Sequence, residues 1–464
     1  MLIVILFYNI ISEIDKAILV FINKKIGEKM NSAIDFINSL PMFGTEEGFK
    51  PGLDRVSKLI ELLNIDLKAL DFIHVAGSNG KGSTIAMLNS IYNQAGYKVG
   101  RYISPHVRSF NERIQVNGQD ISDKELTKLI EEIKPLYDND KYWHDIGKPT
   151  FFEVVTVLAF YHFYLEKPDL VLLETGLGGR FDATNVIPSP LLAIITTITL
   201  EHTEYLGDKL ALIAREKAGI IKEGSRVLVG EIDEEALKVI RDKADSVSAN
   251  FYESKDFFSL IPVTENLDKQ IFKINYHNKT YELSMPLKGR YQLKNAEVAI
   301  SATELLQKEY SVSFESIKKG FENVSWPGRL EVIKKDPPLI LDGSHTVAGV
   351  ETLVNFLKDN FSEDYKIKII LAVLKDKDIE SMIDKLLFST EIELIFTENN
   401  SFRALKVSDL KINSQANIIK SNQKLLETVD QELEKQGNNE IICITGSLSS
   451  IIELREYLLN RIRG

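Results

Sequence analysis

From Leu70 onward, apolar runs of four to eight residues alternate with stretches in which apolar positions recur every three to four residues. Short continuous runs read as strands buried on both faces, and the stretches between them as amphipathic helices. The pattern predicts strands over 169–174, 191–198 and 225–230, and helices over 84–95, 123–134, 151–165, 208–221 and 294–309. Strands separated by helices imply an α/β fold with a mostly parallel sheet covered on both faces. Residues 251–288 break the rhythm. Ile271-Phe272-Lys273-Ile274-Asn275-Tyr276 and Tyr281-Glu282-Leu283, joined across His277-Asn278-Lys279, predict an antiparallel hairpin appended to that sheet. After Trp326-Pro327-Gly328 a second α/β block begins, with strand-like runs at 339–341, 367–373, 393–396 and 440–445. The domain boundary is expected near 324–328, dividing the chain into 30–324 and 328–464. No Gly-x-Gly-x-x-Gly accompanies any of these strands, so a dinucleotide-binding reading has no support.

One junction carries chemistry. The apolar run Phe72-Ile73-His74-Val75-Ala76 leads into Gly77-Ser78-Asn79-Gly80-Lys81-Gly82-Ser83 and then into the helical Thr84-Ile85-Ala86-Met87-Leu88. Strand, glycine-rich turn and helix make a phosphate cradle, because glycines admit close backbone approach and the helix N-terminus presents free N–H groups. Lys81 can reach terminal phosphates, and the Ser83 hydroxyl can ligate Mg²⁺. The spacing is unusual: two residues, not four, separate Gly77 from Gly80, and Gly82 stands between the lysine and the serine.

Composition narrows the partners. The 464 residues suit two domains, and 44% hydrophobic with 27% charged residues describes an ordinary globular chain with a full core. A net charge of −11 argues against nucleic acid or an anionic membrane as the main partner. Cys443 is the single cysteine, which rules out an intrachain disulfide or a multi-Cys zinc site and fits a reducing cytosol. Its apolar surroundings predict a small buried hydrophobe. The apolar start, Met1 to Phe7, is interrupted by Glu13, Asp15 and Lys16, too early to span a bilayer, and it lacks the features of a signal peptide. Residues 1–29 read as an extension without an assigned role, ahead of a domain start at Met30.

A phosphate loop needs a metal partner on a neighbouring strand. Leu170-Val171-Leu172-Leu173-Glu174 supplies a carboxylate at a strand end, and Mg²⁺ takes such oxygen ligands together with phosphates and water. Glu174 can alternatively cap the glycine turn that follows. The next strand ends near Glu201-His202, where His202 is either structural or a second metal-site residue. On the helix near 208–222, Lys217 has Ile213, Ala214, Ile220 and Ile221 as helical neighbours, which places an ammonium on the apolar stripe. It is either buried with a lowered pKa or snorkelling with its head in solvent.

The Gly-Ser-Asn-Gly-Lys-Gly-Ser loop resembles that of the Mur ligase superfamily, in particular folylpolyglutamate and dihydrofolate synthases. Further segments agree in order: Ser104-Pro105-His106, Asn111-Glu112-Arg113-Ile114, Thr150-Phe151-Phe152-Glu153, Glu174-Thr175-Gly176-Leu177-Gly178-Gly179-Arg180, Glu216-Lys217-Ala218-Gly219-Ile220, Gln292-Leu293-Lys294-Asn295, Trp326-Pro327-Gly328-Arg329, Asp342-Gly343-Ser344-His345 and Thr445-Gly446-Ser447-Leu448. The resemblance runs from about Met30 to the C-terminus. It implies a P-loop ATPase domain followed by a smaller Rossmann-like α/β domain. It further implies an ATP-dependent ligase that adds L-glutamate to tetrahydrofolate through an acyl phosphate, with dihydrofolate synthase or a bifunctional enzyme as the alternative. A cell-wall ligase is disfavoured because no separate UDP-binding domain precedes the loop. From another class, a non-catalytic P-loop switch remains, although it would not need the second-domain set Arg329, Asp342 and His345.

Residue by residue, the resemblance implies that Glu174 and His202 organise Mg²⁺, joined by Ser83 or Ser104, and that Lys217 is carbamylated. It implies that Asn295 contacts adenine, Arg329 the phosphates, and Asp342 and His345 the nucleotide. Ser104, His106 and Arg113 would shape the folate pocket. The expected enzyme is a cytoplasmic monomer whose partners are small molecules: ATP, L-glutamate and a folate or dihydropteroate. Three positions depart from the family pattern: Tyr291 stands where His is usual, Glu201 where Asp is common, and Thr346-Val347 where Asn-Pro is usual.

Overall fold

The structure is a computed structural model that describes residues 31–41, 52–362, 364–375, 377–389, 392–401, 403–410 and 418–463; the extension at 1–29 lies outside the described residues. Eight strands form the first sheet: β1 (Phe72–Ala76), β2 (Val99–Tyr102), β3 (Ile114–Val116), β4 (Gln119–Asp120), β5 (Leu170–Glu174), β6 (Leu192–Ile195), β7 (Arg226–Val229) and β8 (Asn250–Glu253). Their order is β4-β3-β2-β5-β1-β6-β7-β8. Every pairing from β2 to β8 is parallel, and β3 and β4 add an antiparallel edge. β1, β5 and β6 lie at the centre, buried at every residue, which is why each is a continuous apolar run. Their register places Val75 opposite Glu174 and Ala76 opposite Ile195, so the phosphate loop and the carboxylate leave the same sheet edge.

Helices Lys81–Gln94, Tyr291–Leu305 and Phe314–Asn323 cover one face, and Asp123–Asp138, Phe151–Glu166, Leu210–Lys217 and Glu234–Ser246 pack over the other. The helix expected at 208–221 is shorter, ending at Lys217 and continuing as a 3₁₀ turn over Ala218–Ile220. There Gly219 lies against the Arg180 backbone, where a Cβ would fall 2.4 Å from the Arg180 Cα.

The hairpin forms, but not where it was expected. β9 (Leu260–Glu265), β10 (Gln270–Tyr276) and β11 (Lys279–Met285) make a separate three-stranded sheet. The β10–β11 turn is His277-Asn278, with φ of 47° and 62°, the left-handed pair that a two-residue hairpin requires. Phe272, Ile274, Leu283 and Met285 face the apolar cluster of the neighbouring helices, with Phe272 edge-on to Phe321 at 5.7 Å. A strand added to the edge of the main sheet could not cover that helical layer, so the hairpin lies across it instead.

A six-stranded sheet follows: β12 (Glu331–Lys335), β13 (Pro338–Leu341), β14 (Lys366–Leu371), β15 (Ile392–Glu398), β16 (Ile418–Lys424) and β17 (Glu440–Thr445), in the order β12-β13-β17-β14-β15-β16. All pairings but β12–β13 are parallel. Cys443 is buried at its centre. The two halves interlock through apolar contacts. Val107, from the loop after β2, joins the cluster of Leu339, Leu341 and Ile451, while Leu267 and Tyr291 pack against the other face of this sheet. Arg290 and Asp359 pair across the junction at 3.0 Å. Among the described residues no helix is long and apolar enough to cross a membrane.

Burial sets the energetic scale. Leu172 is fully buried in β5, whereas Ile261 on β9 is 54% exposed. Leu172→Ala should cost about 2–5 kcal/mol in urea unfolding, and Ile261→Ala within about 0.5 kcal/mol of nothing.

Candidate active site

The phosphate loop is held open by its neighbours. Gly80 caps the helix Lys81–Gln94 with φ of 85°, and a Cβ there would lie 2.3 Å from the Asn295 Oδ1. Both the left-handed backbone and the close approach require glycine. A Cβ on Gly77 would strike the Thr196 Oγ1 at 1.9 Å. The segment after β6 stitches the loop down: the Ser78 N–H donates to the Thr197 O at 2.8 Å, the Asn79 N–H to the Thr197 Oγ1 at 2.9 Å, and the Thr196 hydroxyl to the Asn79 O at 2.6 Å. Lys81 folds back over the loop, its Nζ donating to the Gly77 O at 2.8 Å.

Glu174 is buried at the end of β5 and accepts the Ser104 N–H at 3.2 Å. Burial pushes its pKa up to about 7, against the pull of Lys81, the Ser104 N–H, Arg329 and Arg101. Asp182 secures the glycine-rich turn that follows, its Oδ2 accepting the Gly176 and Leu177 N–H groups at 2.9 Å each. Glu174 therefore does not cap that turn; Asp182 does. Of the two serines, Ser104 stands beside Glu174, whereas the Ser83 hydroxyl accepts from the Gln292 Nε2 at 3.2 Å.

Lys217 is buried, which settles the choice against snorkelling. Its Nζ donates to the Glu201 Oε1 at 2.7 Å. Burial lowers the Lys217 pKa and Glu201 opposes that shift. Glu201 is itself held well below the usual carboxylate range: burial raises it, and the Lys217, Lys81 and His202 charges outweigh that. His202 sits in a left-handed backbone with φ of 45° at the start of the turn Thr203–Leu206, and burial together with Lys377, Lys217 and Lys81 lowers its pKa to about 4 despite Glu201.

The second sheet brings Arg329, His345 and Lys377 to the same cleft. Arg329 acts on Glu174, and burial, Lys377 and Arg329 lower the His345 pKa to about 4, with His202 contributing from across the cleft. The His345 Nδ1 is bonded to the Gly343 O at 2.9 Å, so its Nε2 faces away from the strand end. Asp342 is committed to the backbone. Its Oδ2 accepts the Leu330 N–H and its Oδ1 the Ser344 N–H, both at 3.0 Å. It fixes the turn that carries Arg329.

The remaining residues are supports. Asn295 donates to the Gln292 Oε1 at 2.9 Å and packs against Gly80. His106 and Arg113 are fully buried, with the Arg113 Nε donating to the His106 Nδ1 at 2.9 Å, so both lie beneath the loop after β2 and not on an open wall. Tyr291, the departure in the adenine segment, packs onto the second sheet's core. Sequence reasoning missed Arg101 and Lys377, and it named Glu201 only as a departure. A charged residue inside the apolar run Val99-Gly100-Arg101-Tyr102-Ile103 was the available signal for the first.

The arrangement of loop, carboxylate, buried lysine pair and opposed second domain defines a nucleotide-dependent ligase. Residues 75–303 match the Mur ligase middle domain and residues 328–448 the Mur ligase glutamate ligase domain. A dihydrofolate synthase/folylpolyglutamate synthase of Bacillus subtilis is 40% identical over 423 residues, 89% of this chain and 96% of that protein. The Mycobacterium tuberculosis folylpolyglutamate synthase complexed with ADP and AMPPCP superposes with a TM-score of 0.78 at 28% identity, covering 88% of this chain and 95% of that one. An FPGS–AMPPCP–folate complex gives the same score and identity, over 93% and 100%. The chain belongs to the Mur ligase family, in the group of folylpolyglutamate and dihydrofolate synthases. It is an ATP-dependent ligase.

Two outcomes follow from this geometry. Gly80→Ala imposes a left-handed non-glycine residue, worth about 1–2 kcal/mol, on top of the Asn295 clash; AMPPCP affinity measured by calorimetry should fall about tenfold or more. In metal- and nucleotide-free protein, raising pH from 4.5 to about 7 charges the buried Glu174 later than in the unfolded chain, so this group's contribution becomes unfavourable as pH rises. Glu174→Gln removes that cost. Its melting temperature should gain on the parent between pH 5 and pH 8; a pH-independent difference would contradict the assignment.

Proposed function

We propose that this chain adds L-glutamate to tetrahydrofolate, extending a γ-linked polyglutamate tail. Residues 30–324 serve as its ATP-binding unit and 328–464 as its glutamate-ligase unit. The observation that carries this reading is the convergence of Lys81 and Glu174 from the first sheet with Arg329 and His345 from the second. A switch protein has no use for that second set. The relatives are folate–glutamate ligases by name, which supports the folate substrate, and the dihydropteroate reaction of a dihydrofolate synthase is the second reading, favoured by the double name of the Bacillus relative. The single cysteine, buried and free, agrees with action in a reducing cytosol, and the chain is read as a monomer acting on small molecules.

The residues fit Mg²⁺. Glu174 keeps one carboxylate oxygen free of hydrogen bonds beside the phosphate loop, and one protein carboxylate is what a phosphate- and water-rich shell asks for. Glu174 would hold the ion with the hydroxyl of Ser104 or Ser83, and His202 would serve a second site. Bound there, Mg²⁺ supplies charge neutralisation for the ATP phosphates.

In the reaction, a carboxylate oxygen of the folate attacks the γ-phosphorus and the bond to ADP breaks. The free amine of glutamate then attacks the acyl carbon, phosphate leaves, and the nitrogen gives up one proton and keeps the amide N–H. The chain positions and neutralises: Lys81 turns from the Gly77 carbonyl to the phosphates, Arg329 meets them from the second domain, and closure of the cleft excludes water. Asp342 acts by holding the Arg329 turn, Asn295 by holding Gly80 near the adenine, and His106 and Arg113 by supporting the loop beside the folate.

Lys217 is proposed to be carbamylated: its neutral amine attacks CO₂, an N–C bond forms and one proton leaves. The lowered pKa favours that amine. The product is an anion beside Glu201, which pairs with the Lys217 Nζ at 2.7 Å, and the two together would favour a bound cation. Lys217→Ala should lower turnover by about 10²-fold or more with the fold intact by circular dichroism. Near-normal turnover would remove the carbamate. ADP release compared for tetrahydrofolate and dihydropteroate, each with and without L-glutamate, tests the function. Release that needs glutamate and tetrahydrofolate supports the proposal; release with dihydropteroate alone as acceptor supports the second reading; release indifferent to glutamate rejects both.

A further inference from the structure

We propose that Arg101 and Trp326 are positioning residues that couple the phosphate loop to the delivery of Arg329, an inference that rests on Arg329 and Glu174 serving the ATP phosphates. On β2, Val99 and Ile103 point into the apolar cluster beneath the helix Lys81–Gln94. Arg101 stands two residues from each and shares their face. The register sets it opposite Leu172, on the strand that ends in Glu174. It is only 7% exposed, its Nε has no hydrogen-bond partner, and among the described residues its guanidinium makes no ion pair.

A buried guanidinium in that state is costly and needs a cause. Glu112, Asp120 and Glu174 favour its charge from beyond ion-pair distance, and its direct contact is the indole of Trp326, whose ring centroid lies 5.8 Å from the Arg101 Cζ, within cation–π reach. The indole also meets the phosphate-loop helix. A Cβ on Gly82 would fall 2.2 Å from the ring, so the glycine between Lys81 and Ser83 is the seat of Trp326. This accounts for the inserted glycine, which phosphate binding alone does not need.

Trp326 is three residues from Arg329. Between them Gly328 turns the chain with φ of 73°, wedged against Ile451, and Asp342 grips the Leu330 N–H. The indole is thus fixed to the nucleotide loop on one side and to a rigid turn on the other. Motion of the loop on nucleotide binding moves Trp326, and through it the arginine that faces Glu174. Arg101 holds the indole in register.

The chain has two tryptophans, and Trp143 is buried far from this contact with its Nε1 bonded to the Leu136 O. Protein labelled with 5-fluorotryptophan gives two ¹⁹F resonances, assigned with Trp143→Phe, and Mg·AMPPCP is titrated without folate or glutamate. The Trp326 resonance should shift saturably and that of Trp143 should not. In Arg101→Met the shift should shrink by about threefold or more and kcat should fall about tenfold or more, with the AMPPCP Kd within about threefold of the parent. Arg101→Lys, which keeps a cation over the ring, should recover most of both. A Trp326 resonance that ignores nucleotide overturns the proposal. So does an Arg101→Met protein with the parent's kcat, or one whose loss tracks only its unfolded fraction. Because the resonance is read without acceptor substrates, failure of the ligase reading in the ADP-release assay leaves this result standing on its own.

Discussion

The site depends on buried charges that neutralise one another across a cleft. Lys81, Glu174, Glu201 and Lys217 gather near the carboxyl edge of one parallel sheet, Glu174 and Lys217 buried and Lys81 and Glu201 half-buried. Glu174 is so far desolvated that even three cations leave its pKa near 7, and Lys217 is tolerable only against Glu201.

The second domain adds Arg329 to this charge set from its linker, beside His345 and Lys377. Asp342 spends both carboxylate oxygens on backbone N–H groups, a poor use for a nucleotide ligand and a good one for a hinge. Gly328, Leu330 and the bidentate pair of Arg455 with Glu331, at 2.7–3.0 Å, make the turn stiff. Apolar packing of Val107 and Tyr291 joins the stiff turn at the junction. The same constraint explains why Tyr291 tolerates the place of a polar residue: its surroundings are the second core and not the base.

Much of this was legible in the chain. Apolar runs located the central strands, because a strand buried on both faces leaves no choice of residue. The loop was legible because glycine and lysine at that spacing serve phosphates. Lys217 could be placed on an apolar stripe, but periodicity reports burial and not partners, so the pairing with Glu201 sixteen residues away stayed hidden. Arg101, Trp326 and Lys377 were missed for a related reason: each gains its meaning from an element distant in sequence. The hairpin was seen and misplaced, since alternation marks an apolar face without saying what covers it. Asp342 and Ser83 were legible as motif members, but not their protein partners: the Leu330 and Ser344 N–H groups for the one and Gln292 for the other.

The central claim is that these charges serve phosphoryl transfer to a carboxylate, and isotope transfer tests it directly. Folate bearing ¹⁸O in its reactive carboxylate, incubated with the enzyme, ATP and L-glutamate, should yield inorganic phosphate carrying one ¹⁸O per amide formed, read by mass spectrometry. Phosphate free of label, with amide still formed, would contradict the account.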